Sequence, residues 1–411
     1  MLANKIQTLK GFRDFLPYEK RQRDFVAGKI KEVFELFGFE PLETPTLEYA
    51  DLLLGKYGEE ADRLVYTFKD RGGRMIGLKY DQTVPTARVL AQYKNQLPKF
   101  FRRYQIQNVF RAEKPQKGRF REFSQCDIDI FGTKSEIADA EVLACSYFTY
   151  KNIGFKNIKL LINSRKVLND ALSPFASEKV SINSIIQTID KIDKKTEEEV
   201  LEELAKKGVV EPKGALNSIK SAKPDKNLKN IFNVLHNYGI SKEDCLFNPL
   251  IARGLDYYTG MVFEVKIPDY SNNSVGGGGR YDNLIGSLSG VDIPAVGFAL
   301  GFDRTVEAAT KLGLFNQTTV PSKVLVTLFS ESLLDKSIEA LNCLRKAKIS
   351  SEIYPLVDKI SNQIKYADKK GVPYVVIVGE EEARNGKVSL KKLASGESKV
   401  ISLDELSRLI F

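Results

Sequence analysis

The feature that most constrains the fold is a pair of long strand-like stretches, residues 104–111 and 120–131, separated by a short turn. Strand patterns this close in sequence pair antiparallel, as the two arms of an extended hairpin. The stretch from Lys99 to Arg121 also holds eight basic residues and a single acid, Glu113. We therefore predict an α+β domain built on an antiparallel sheet flanked by helices, with a strongly basic turn between two of its strands.

The basic turn suits a ligand that carries phosphate groups. Arginine pairs with phosphate oxygens through two parallel hydrogen bonds, so a triphosphate or an RNA backbone would fit there. The net charge of +9 is compatible with a polyanionic partner. Composition alone leaves two alternatives open: a solvated turn without a ligand, and a mildly basic enzyme that binds no nucleic acid.

A row of side chains along the second strand predicts a ligand site. Phe123, Gln125, Asp127 and Asp129 alternate in the sequence, so they share one face of the strand. Two carboxylates in the middle of a β-rich domain are costly to bury without a ligand. The alternative is a sheet face that is exposed to water.

Two later stretches are distinctive in their residue types. Arg253 to Tyr258 contains two adjacent tyrosines, which in most strands would be one core and one surface residue. The four glycines from Gly276 to Gly279 precede Arg280-Tyr281-Asp282, and no Gly-Lys-Ser/Thr follows them as it would in a P-loop. The glycines alone indicate only that the backbone comes close to a neighbour.

The chain length of 411 residues suggests two or three domains. Residues from about 166 to 245 are predicted to form a helical insertion, since much of this stretch is rich in charge and has helical spacing. The polar stretch 317–322 is a plausible linker. Beyond it, strand and helix patterns alternate, which predicts a small α/β domain with a largely parallel sheet. We therefore predict domains at 1–320 and 321–411.

Several classes of protein are excluded by what the sequence lacks. It contains no apolar stretch of about 18 residues and no signal-peptide core near its start, so we expect a cytoplasmic protein without a membrane partner. Its four cysteines form no C-x-x-C pair, so neither zinc nor another protein-held metal is expected. Its single histidine, His236, lies in no triad-like or H-E-x-x-H context. Any catalysis must therefore rely on arginine, carboxylate, glutamine and tyrosine side chains, with a metal bound at most alongside a substrate.

Five stretches resemble the motifs of one enzyme family. The helix and strand that end at Glu43-Thr44-Pro45 are similar to motif 1 of the class II aminoacyl-tRNA synthetases, Val109 to Phe123 to motif 2, and Val296 to Arg304 to motif 3. Arg253 to Tyr258 and Gly276 to Asp282 are similar to the two signatures of the histidine-specific members. The matches occur in the family's order over nearly the whole chain, which resembles the histidyl-tRNA synthetases.

The resemblance implies a homodimeric enzyme that activates L-histidine with ATP, releases pyrophosphate, and transfers histidine to the 3′ end of its transfer RNA. Mg²⁺ would bridge phosphate oxygens of ATP, without a dedicated protein cage. Residues 1–320 would form a class II catalytic domain with the helical insertion. Residues 321–411 would form the anticodon-binding domain.

The resemblance also implies roles for individual side chains. Arg111 and Arg253 would be catalytic and would hold the α-phosphate of ATP from opposite sides. The histidine-binding residues would be Asp81, Gln82, Thr83, Arg111, Gln125, Asp129, Arg253, Tyr257, Tyr258 and Tyr281. The ATP-binding residues would be Arg111, Glu113, Arg119, Phe123 and Arg304. Candidates for contact with the acceptor stem of the transfer RNA are Lys114, Gln116, Lys117 and Arg121.

The main alternative is a catalytically inactive paralogue that acts as a regulatory subunit or a transfer RNA sensor. Such relatives typically lose the histidine signatures or the C-terminal domain, whereas this sequence keeps both. A synthetase for a different amino acid is disfavoured by Asp129 and by the stretch from Arg253 to Tyr258.

Overall fold

The computed structural model describes residues 6–54, 63–116, 118–192, 195–252, 257–315 and 322–408. The chain forms two compact units, Met1–Phe315 and Asn316–Phe411, each built around its own β-sheet. The predicted domain boundary between residues 320 and 321 falls in the segment 316–321, outside the described residues.

The first unit is organised by one large sheet and one small sheet. Their strands are β1 (Glu40–Pro41), β2 (Leu47–Tyr49), β3 (Thr67–Lys69), β4 (Met75–Leu78), β5 (Phe101–Phe110), β6 (Glu122–Phe131), β7 (Lys159–Ser164), β8 (Cys245–Phe247), β9 (Met261–Ile267), β10 (Ser271–Arg280) and β11 (Ala295–Leu300). Eight of them form the large sheet in the order β1-β5-β6-β11-β10-β9-β7-β8, and the order of the small sheet is β2-β4-β3. The six inner strands of the large sheet pair antiparallel, as the sequence predicted. Only the short edge strands β1 and β8 pair parallel to their neighbours.

The hairpin of β5 and β6 is the longest pairing in this sheet. It runs from Phe101 opposite Phe131 to Phe110 opposite Glu122. This register sets Arg103 directly across from Asp129, and Gln107 across from Gln125. The predicted extended hairpin is therefore present, and it brings the polar residues of both strands together.

Helices cover both faces of the large sheet. The helices are α1 (Pro17–Leu36), α2 (Ala50–Leu53), α3 (Thr83–Gln92), α4 (Glu136–Ile153), α5 (Arg165–Leu172), α6 (Ile182–Ile189), α7 (Glu197–Lys206), α8 (Pro212–Lys220), α9 (Lys226–Asn237), α10 (Leu284–Ser289) and α11 (Phe302–Lys311). Helix α4 is capped at its N-terminus by Ser135, whose hydroxyl accepts a hydrogen bond from the amide of Ile137, and at its C-terminus by Gly154, with a φ of 114°. Within the described ranges, none of the helices is long and apolar enough to cross a bilayer.

Strand β6 divides its side chains between two environments. Cys126, Ile128 and Ile130 are fully buried and belong to the main core, which β6 shares with α1 and α4. Asp127 and Asp129 point to the opposite face, where each is only 5% exposed. That face is covered by a second apolar cluster with contributions from α3 and α10. The two carboxylates of the polar row are therefore buried and Phe123 and Gln125 are partly buried, which excludes the alternative of a sheet face exposed to water.

The predicted helical insertion contains two kinds of helix. Helices α5 to α8 enclose a core of their own, formed by residues such as Leu168, Ile185, Leu204 and Leu216. Helix α9 instead contributes Leu228, Ile231 and Leu235 to the main core. The chain between α5 and α9 thus protrudes as a small helical body, and α9 returns it to the sheet.

The second unit has a five-stranded sheet. Its elements are β12 (Val324–Val326), α12 (Leu334–Lys346), β13 (Ser351–Ile353), α13 (Ile360–Lys370), β14 (Tyr374–Ile377), α14 (Glu380–Arg384), β15 (Lys387–Lys392), β16 (Ser398–Ser402) and α15 (Leu403–Arg408). Strand β12 pairs parallel with β13 and β14, whereas β14-β15 and β15-β16 pair antiparallel. The predicted α/β domain is confirmed, but the expectation of a largely parallel sheet was wrong. The polar hairpin of β15 and β16 lacks the apolar runs that mark buried strands, so it was not recognised.

Candidate active site

A large cleft opens beside the basic turn and the ends of β6, β10 and β11. Its volume is about 980 Å³. All five residues predicted to bind ATP line it: Arg111, Glu113, Arg119, Phe123 and Arg304. The fold therefore brings together side chains that lie almost 200 positions apart in the sequence.

Arg111 lines this cleft, just after β5. Its Nε donates a hydrogen bond to the carbonyl oxygen of Tyr80 at 3.1 Å. Its guanidinium carbon lies 5.0 Å from the centre of the Phe123 ring. The backbone bond and the ring hold the guanidinium in place in the lining of the cleft.

Two other arginines lie at the rim of the cleft. Arg304 is exposed at the start of α11, and its Nη1 donates to the carbonyl oxygen of Ser274 at 2.8 Å. Arg119 is also exposed, with 3.7 Å between its Nη1 and a carboxylate oxygen of Glu113. Such a weak, solvated ion pair costs little to open. Both guanidinium groups can therefore turn toward a polyphosphate.

The glycine run lies in β10, at the floor of the cleft. A Cβ atom at Gly278 would lie 2.0 Å from the carbonyl oxygen of Gly297, and one at Gly276 would lie 2.8 Å from the Phe298 ring. On the neighbouring strand β11, a Cβ at Gly297 would lie 1.8 Å from Asp129 Oδ1. Glycine is required because strands and a carboxylate approach one another there at backbone distance. The close approach indicated by the sequence is thus an approach to β11 and to the carboxylate row.

A second, smaller pocket adjoins the cleft and has a volume of about 70 Å³. That volume has room for roughly five water molecules, about the size of an imidazole ring. Residues from the predicted histidine site that line it are Thr83, Gln125, Asp129, Tyr257, Tyr258 and Tyr281. Gln125 lines both cavities, so the two sites meet at this side chain.

Asp129 is held firmly at one end of the small pocket. The Tyr281 hydroxyl donates a short hydrogen bond to Oδ1, and Arg103 Nη2 lies 2.6 Å from Oδ2. Burial raises the pKa of the Asp129 carboxyl, while the Arg103 charge and the Tyr281 hydrogen bond act in the opposite direction. Burial also raises the pKa of the Tyr281 hydroxyl well above its ordinary value, so it remains a donor.

Arg103 is a residue that the sequence analysis did not identify as part of the site. Its side chain is 1% exposed, and Nη1 contacts the side-chain oxygen of Gln105 at 3.3 Å. A signal for it existed, because Arg103, Gln105 and Gln107 alternate along β5 as the polar row does along β6. Antiparallel pairing of two such strands places the polar faces together.

The predicted Asp81-Gln82-Thr83 stretch has three different environments. Asp81 Oδ1 accepts a hydrogen bond from the amide of Val84 at 3.0 Å, and the surrounding protein raises the pKa of this carboxyl to about 6. Gln82 is fully buried, and its Nε2 donates to the carbonyl oxygens of Gln107 and Gln125 at 3.2 and 3.0 Å. Gln82 therefore braces the two strands rather than lining the small pocket, whereas Thr83 lines it.

The remaining predicted residues belong to the basic turn or to an undescribed segment. Lys114 and Gln116 are exposed on the turn. Arg121 is partly buried, and its Nε donates to the carbonyl oxygen of Glu113 at 3.1 Å, so that it braces the turn. Lys117 and Arg253 lie outside the described residues.

Comparisons with known proteins identify the family. A family model described as histidyl-tRNA synthetase matches residues 11–305, and one for an anticodon-binding domain matches residues 323–410. A histidine–tRNA ligase of Wolinella succinogenes is 37% identical, over 98% of each chain. The chain belongs to the histidyl-tRNA synthetase family. The resemblance inferred from the sequence motifs is therefore confirmed.

Solved structures of histidyl-tRNA synthetases share this architecture. The crystal structure of the enzyme from Nostoc sp. PCC 7120 matches with a TM-score of 0.86 and 30% identity, over 98% of this chain and 99% of that one. A structure from Bacillus halodurans, titled an ATP phosphoribosyltransferase regulatory subunit/histidyl-tRNA synthetase, matches with a TM-score of 0.75 and 23% identity, over 88% of this chain and 96% of that one. This second likeness shows the fold alone. The predicted class II catalytic fold is confirmed, and the distinction between an enzyme and a regulatory relative depends on the site.

Proposed function

We propose that the protein activates L-histidine with ATP and transfers it to the 3′ end of the histidine transfer RNA. The observation that carries this proposal is the junction of two unlike cavities at Gln125. One is a basic cleft large enough for a nucleotide, and the other is a polar pocket with the size of an imidazole ring. An amino acid in the pocket would extend its carboxylate into the cleft, next to a bound triphosphate.

The basic cleft fits ATP. Arg111 would hold the α-phosphate and the amino-acid carboxylate, because its guanidinium lines the cleft and is held by the Tyr80 carbonyl oxygen and the Phe123 ring. The exposed side chains of Arg119 and Arg304 would hold the outer phosphates. The adenine ring would stack on Phe123, with Glu113 at its edge.

Activation would require mainly positioning and neutralisation of charge. A carboxylate oxygen of histidine attacks the α-phosphorus of ATP and forms a mixed anhydride, while the bond to pyrophosphate breaks. Arg111 would neutralise charge that builds up on the α-phosphate oxygens. Arg253 is proposed to act from the opposite side, on the strength of the sequence resemblance.

Magnesium would accompany the nucleotide and neutralise part of the charge on its outer phosphates. Glu264 on β9 lines the cleft and offers the oxygen chemistry that Mg²⁺ prefers. Across the described part of the chain, no group of three His, Cys, Asp or Glu side chains is arranged to hold a metal ion. These residues fit an ion that is held mostly by ATP itself.

The small pocket fits the side chain and the ammonium group of histidine. Asp129 would accept from one imidazole nitrogen, since each of its carboxylate oxygens can still accept a second hydrogen bond, and Tyr258 would meet the other nitrogen. Asp81, Thr83 and Gln125 would hold the ammonium. Tyr257 and Tyr281 would line the pocket, and the Tyr281 hydroxyl would hold Asp129 in place. Because an analogue without the partner groups would leave buried polar atoms unpaired, such a pocket can reject it by ~10⁴-fold without editing.

Binding of the transfer RNA is assigned to two separate surfaces. The basic turn, with Lys114, Gln116, Lys117 and Arg121, would contact the acceptor stem through its phosphates. The second unit would bind the anticodon loop, whose single-stranded bases are open to hydrogen bonding and stacking. A cytoplasmic location follows from the role in translation.

The small sheet of β2, β3 and β4 supports the proposed homodimer. It exposes four large apolar side chains: Leu47, Tyr49, Phe68 and Met75 are 43%, 61%, 45% and 44% exposed. These strands follow directly after the motif 1 segment at Glu43-Thr44-Pro45. A group of exposed apolar residues on one small sheet is typical of a surface that another chain covers.

A charging assay tests the proposed function in full. Purified protein, ATP, magnesium and labelled histidine should transfer label to the histidine transfer RNA and leave non-cognate transfer RNAs unlabelled. A folded dimer that charges no transfer RNA with histidine would contradict the proposal. It would instead support the inactive regulatory paralogue.

A further inference from the structure

Asp127 is the middle carboxylate of the polar row, and the proposed function gives it no role. It lies two residues from Gln125 and two from Asp129 along β6, which is about 6.7 Å in each direction. Its side chain is 5% exposed and lines the small pocket. A buried carboxylate between the groups assigned to the ammonium and to the imidazole needs a physical explanation.

The two oxygens of Asp127 differ in their partners. Oδ2 accepts a hydrogen bond from Gln125 Nε2 at 2.9 Å. Oδ1 is buried and has no hydrogen-bond partner among the described residues, and within the same part of the chain this is also true of Gln125 Oε1. The Gln125 amide donates an N–H to Asp127, which leaves its carbonyl oxygen as an acceptor for a ligand. The pair therefore holds two buried acceptors that lack donors, a rare arrangement in native proteins.

Asp129 differs from Asp127 in the groups placed beside it. The protein itself supplies Asp129 with the Tyr281 hydroxyl at Oδ1 and with the guanidinium of Arg103, which lies opposite it in the sheet and 2.6 Å from Oδ2. The fold thus gives Asp129 a hydrogen-bond donor and a counter-charge of its own. The missing partner of the Asp127–Gln125 pair is a donor with several N–H bonds and positive charge.

We propose that Asp127 is a further substrate-binding residue, whose carboxylate accepts a hydrogen bond from the α-ammonium of the amino acid and orients the Gln125 amide to accept a second one. The inference rests on the proposed function and deepens it for the same pocket. An ammonium group carries three N–H donors, enough to satisfy both acceptors and one oxygen of Asp81 or Thr83.

The charges around Asp127 make this interaction dependent on proton release. Four charged groups act on Asp127. Arg103 lies on β5 and Arg111 at its end, Asp129 lies on the same strand as Asp127, and Asp81 lies in the segment before α3. Burial raises the pKa of Asp127 to about 8, with a smaller contribution from the neighbouring carboxylates. The free pocket therefore holds Asp127 mostly protonated at neutral pH. Binding of an ammonium favours the ionised form, and the proton passes to the solvent.

Calorimetry with two ligands tests the assignment. The ligands are histidine and imidazolepropionate, which lacks only the α-amino group, and the proteins are wild type, Asp127→Asn and Cys126→Ala. Cys126 is the matched control, since it lies on the same strand but faces the main core. We expect Asp127→Asn to bind histidine roughly 10- to 100-fold more weakly and to bind imidazolepropionate about as wild type does. The Cys126→Ala variant should keep the ratio of the two affinities.

Proton release provides an independent readout that a merely structural role would not change. Titrations near pH 7.5 in two buffers of different ionisation enthalpy measure it directly. Because its pKa is raised to about 8, Asp127 should release a large part of a proton when histidine binds, and Asp127→Asn should lack this contribution. The ligand's own groups titrate in both experiments, so subtracting the proton release of Asp127→Asn from that of wild type removes their contribution.

Each outcome bears on one of the two proposals. Equal weakening of both ligands by Asp127→Asn, or unchanged histidine affinity and proton release, overturns the role of Asp127 and leaves the proposed function intact. Failure of the wild-type protein to bind histidine overturns the proposed function, and the role of Asp127 falls with it.

Discussion

The basic cleft and the small pocket meet at Gln125, yet they are built in opposite ways. In the cleft, Arg119 is 61% exposed and its ion pair with Glu113 is loose. In the pocket, Arg103 is 1% exposed and contacts Asp129 directly. The cleft presents solvated charges that can follow a flexible polyphosphate. The pocket holds charges that were removed from water when the chain folded, so it can discriminate between small ligands.

This difference in solvation also separates charges that affect only kinetics from charges that affect the free energy of unfolding as well. Solvated charges contribute little to the free energy of unfolding. Breaking a buried ion pair by removing one partner costs about 3–5 kcal/mol, because the other charge stays buried. Substitutions in the cleft should therefore change kinetics alone, whereas substitutions in the pocket should change both kinetics and stability.

The largest kinetic effect is expected for Arg111→Ala. Loss of a preorganised group that stabilises transition-state charge typically costs ~2.7–4 kcal/mol, or roughly 100- to 1,000-fold in kcat for histidine activation. Pyrophosphate exchange measures this loss, and thermal unfolding should show little change. Arg74→Ala is the control, because Arg74 is exposed and forms an ion pair with Asp70 far from the cleft. Near-normal exchange by Arg111→Ala would refute its role.

Tyr281→Phe should produce the next largest effect, on the pocket side. It removes the hydroxyl that donates to Asp129, a hydrogen bond to a charged group worth about 1.5–3 kcal/mol. We expect kcat/KM for histidine to fall while the KM for ATP stays unchanged. Tyr104→Phe removes a hydroxyl that donates to Glu35 outside the pocket, and serves as the control. Equal losses of kcat/KM for histidine and for ATP would show that Tyr281 does not contribute to recognition of the imidazole.

Phe123→Ala should give a smaller effect, and this effect should be on the use of ATP instead of histidine. Stacking of a base on an aromatic ring is worth about 1–3 kcal/mol, so the KM for ATP should rise and the KM for histidine should not. Steady-state exchange kinetics with each substrate varied in turn would measure both values. Phe100→Ala, at an exposed position beside β5, is the control. A rise in the histidine KM instead would place the adenine elsewhere.

The last expected effect is on stability and not on kinetics: the ligand-free protein should gain stability with Asp127→Asn. Folding raises the pKa of Asp127 to about 8, so the folded protein binds this proton more tightly than the unfolded chain does. Wild type should lose stability relative to the variant as pH rises from about 4 to about 8, and the gap should be constant above that. We expect a difference of ~1–3 kcal/mol in the free energy of unfolding near pH 8.

Thermal melts of the two proteins across this pH range would measure the gap. Glu113→Gln, a carboxylate substitution in the cleft, should show no comparable trend. If the stability advantage of Asp127→Asn over wild type shrinks as pH rises, the buried state assigned to Asp127 is contradicted.

The sequence was sufficient to predict the parts of the site that follow from local pattern. The hairpin of β5 and β6, the shared face of Gln125, Asp127 and Asp129, and the close approach at the glycine run all follow from spacing. These features depend on the two-residue period of a strand and on the absence of a Cβ atom in glycine.

What the sequence did not reveal depends on register and on packing between distant elements. Arg103 became part of the site because antiparallel pairing sets it across from Asp129. Gln82 was expected to contact histidine, but its amide bonds to the backbone of β5 and β6. Neither contact can be inferred from the residue's own neighbours in the chain. In the second unit, the sheet is mixed because β15 and β16 form an antiparallel hairpin. This hairpin is polar and lacks the pattern of a buried strand.

ATP–pyrophosphate exchange, measured with each of the twenty amino acids separately, tests the central claim that the pocket selects histidine and the cleft activates it. We predict magnesium-dependent exchange with histidine alone. Exchange with a different amino acid would contradict the roles of Asp129 and Tyr281 in the pocket. Absence of exchange with all twenty, in folded protein, would contradict the assignment of the cleft and favour a regulatory paralogue.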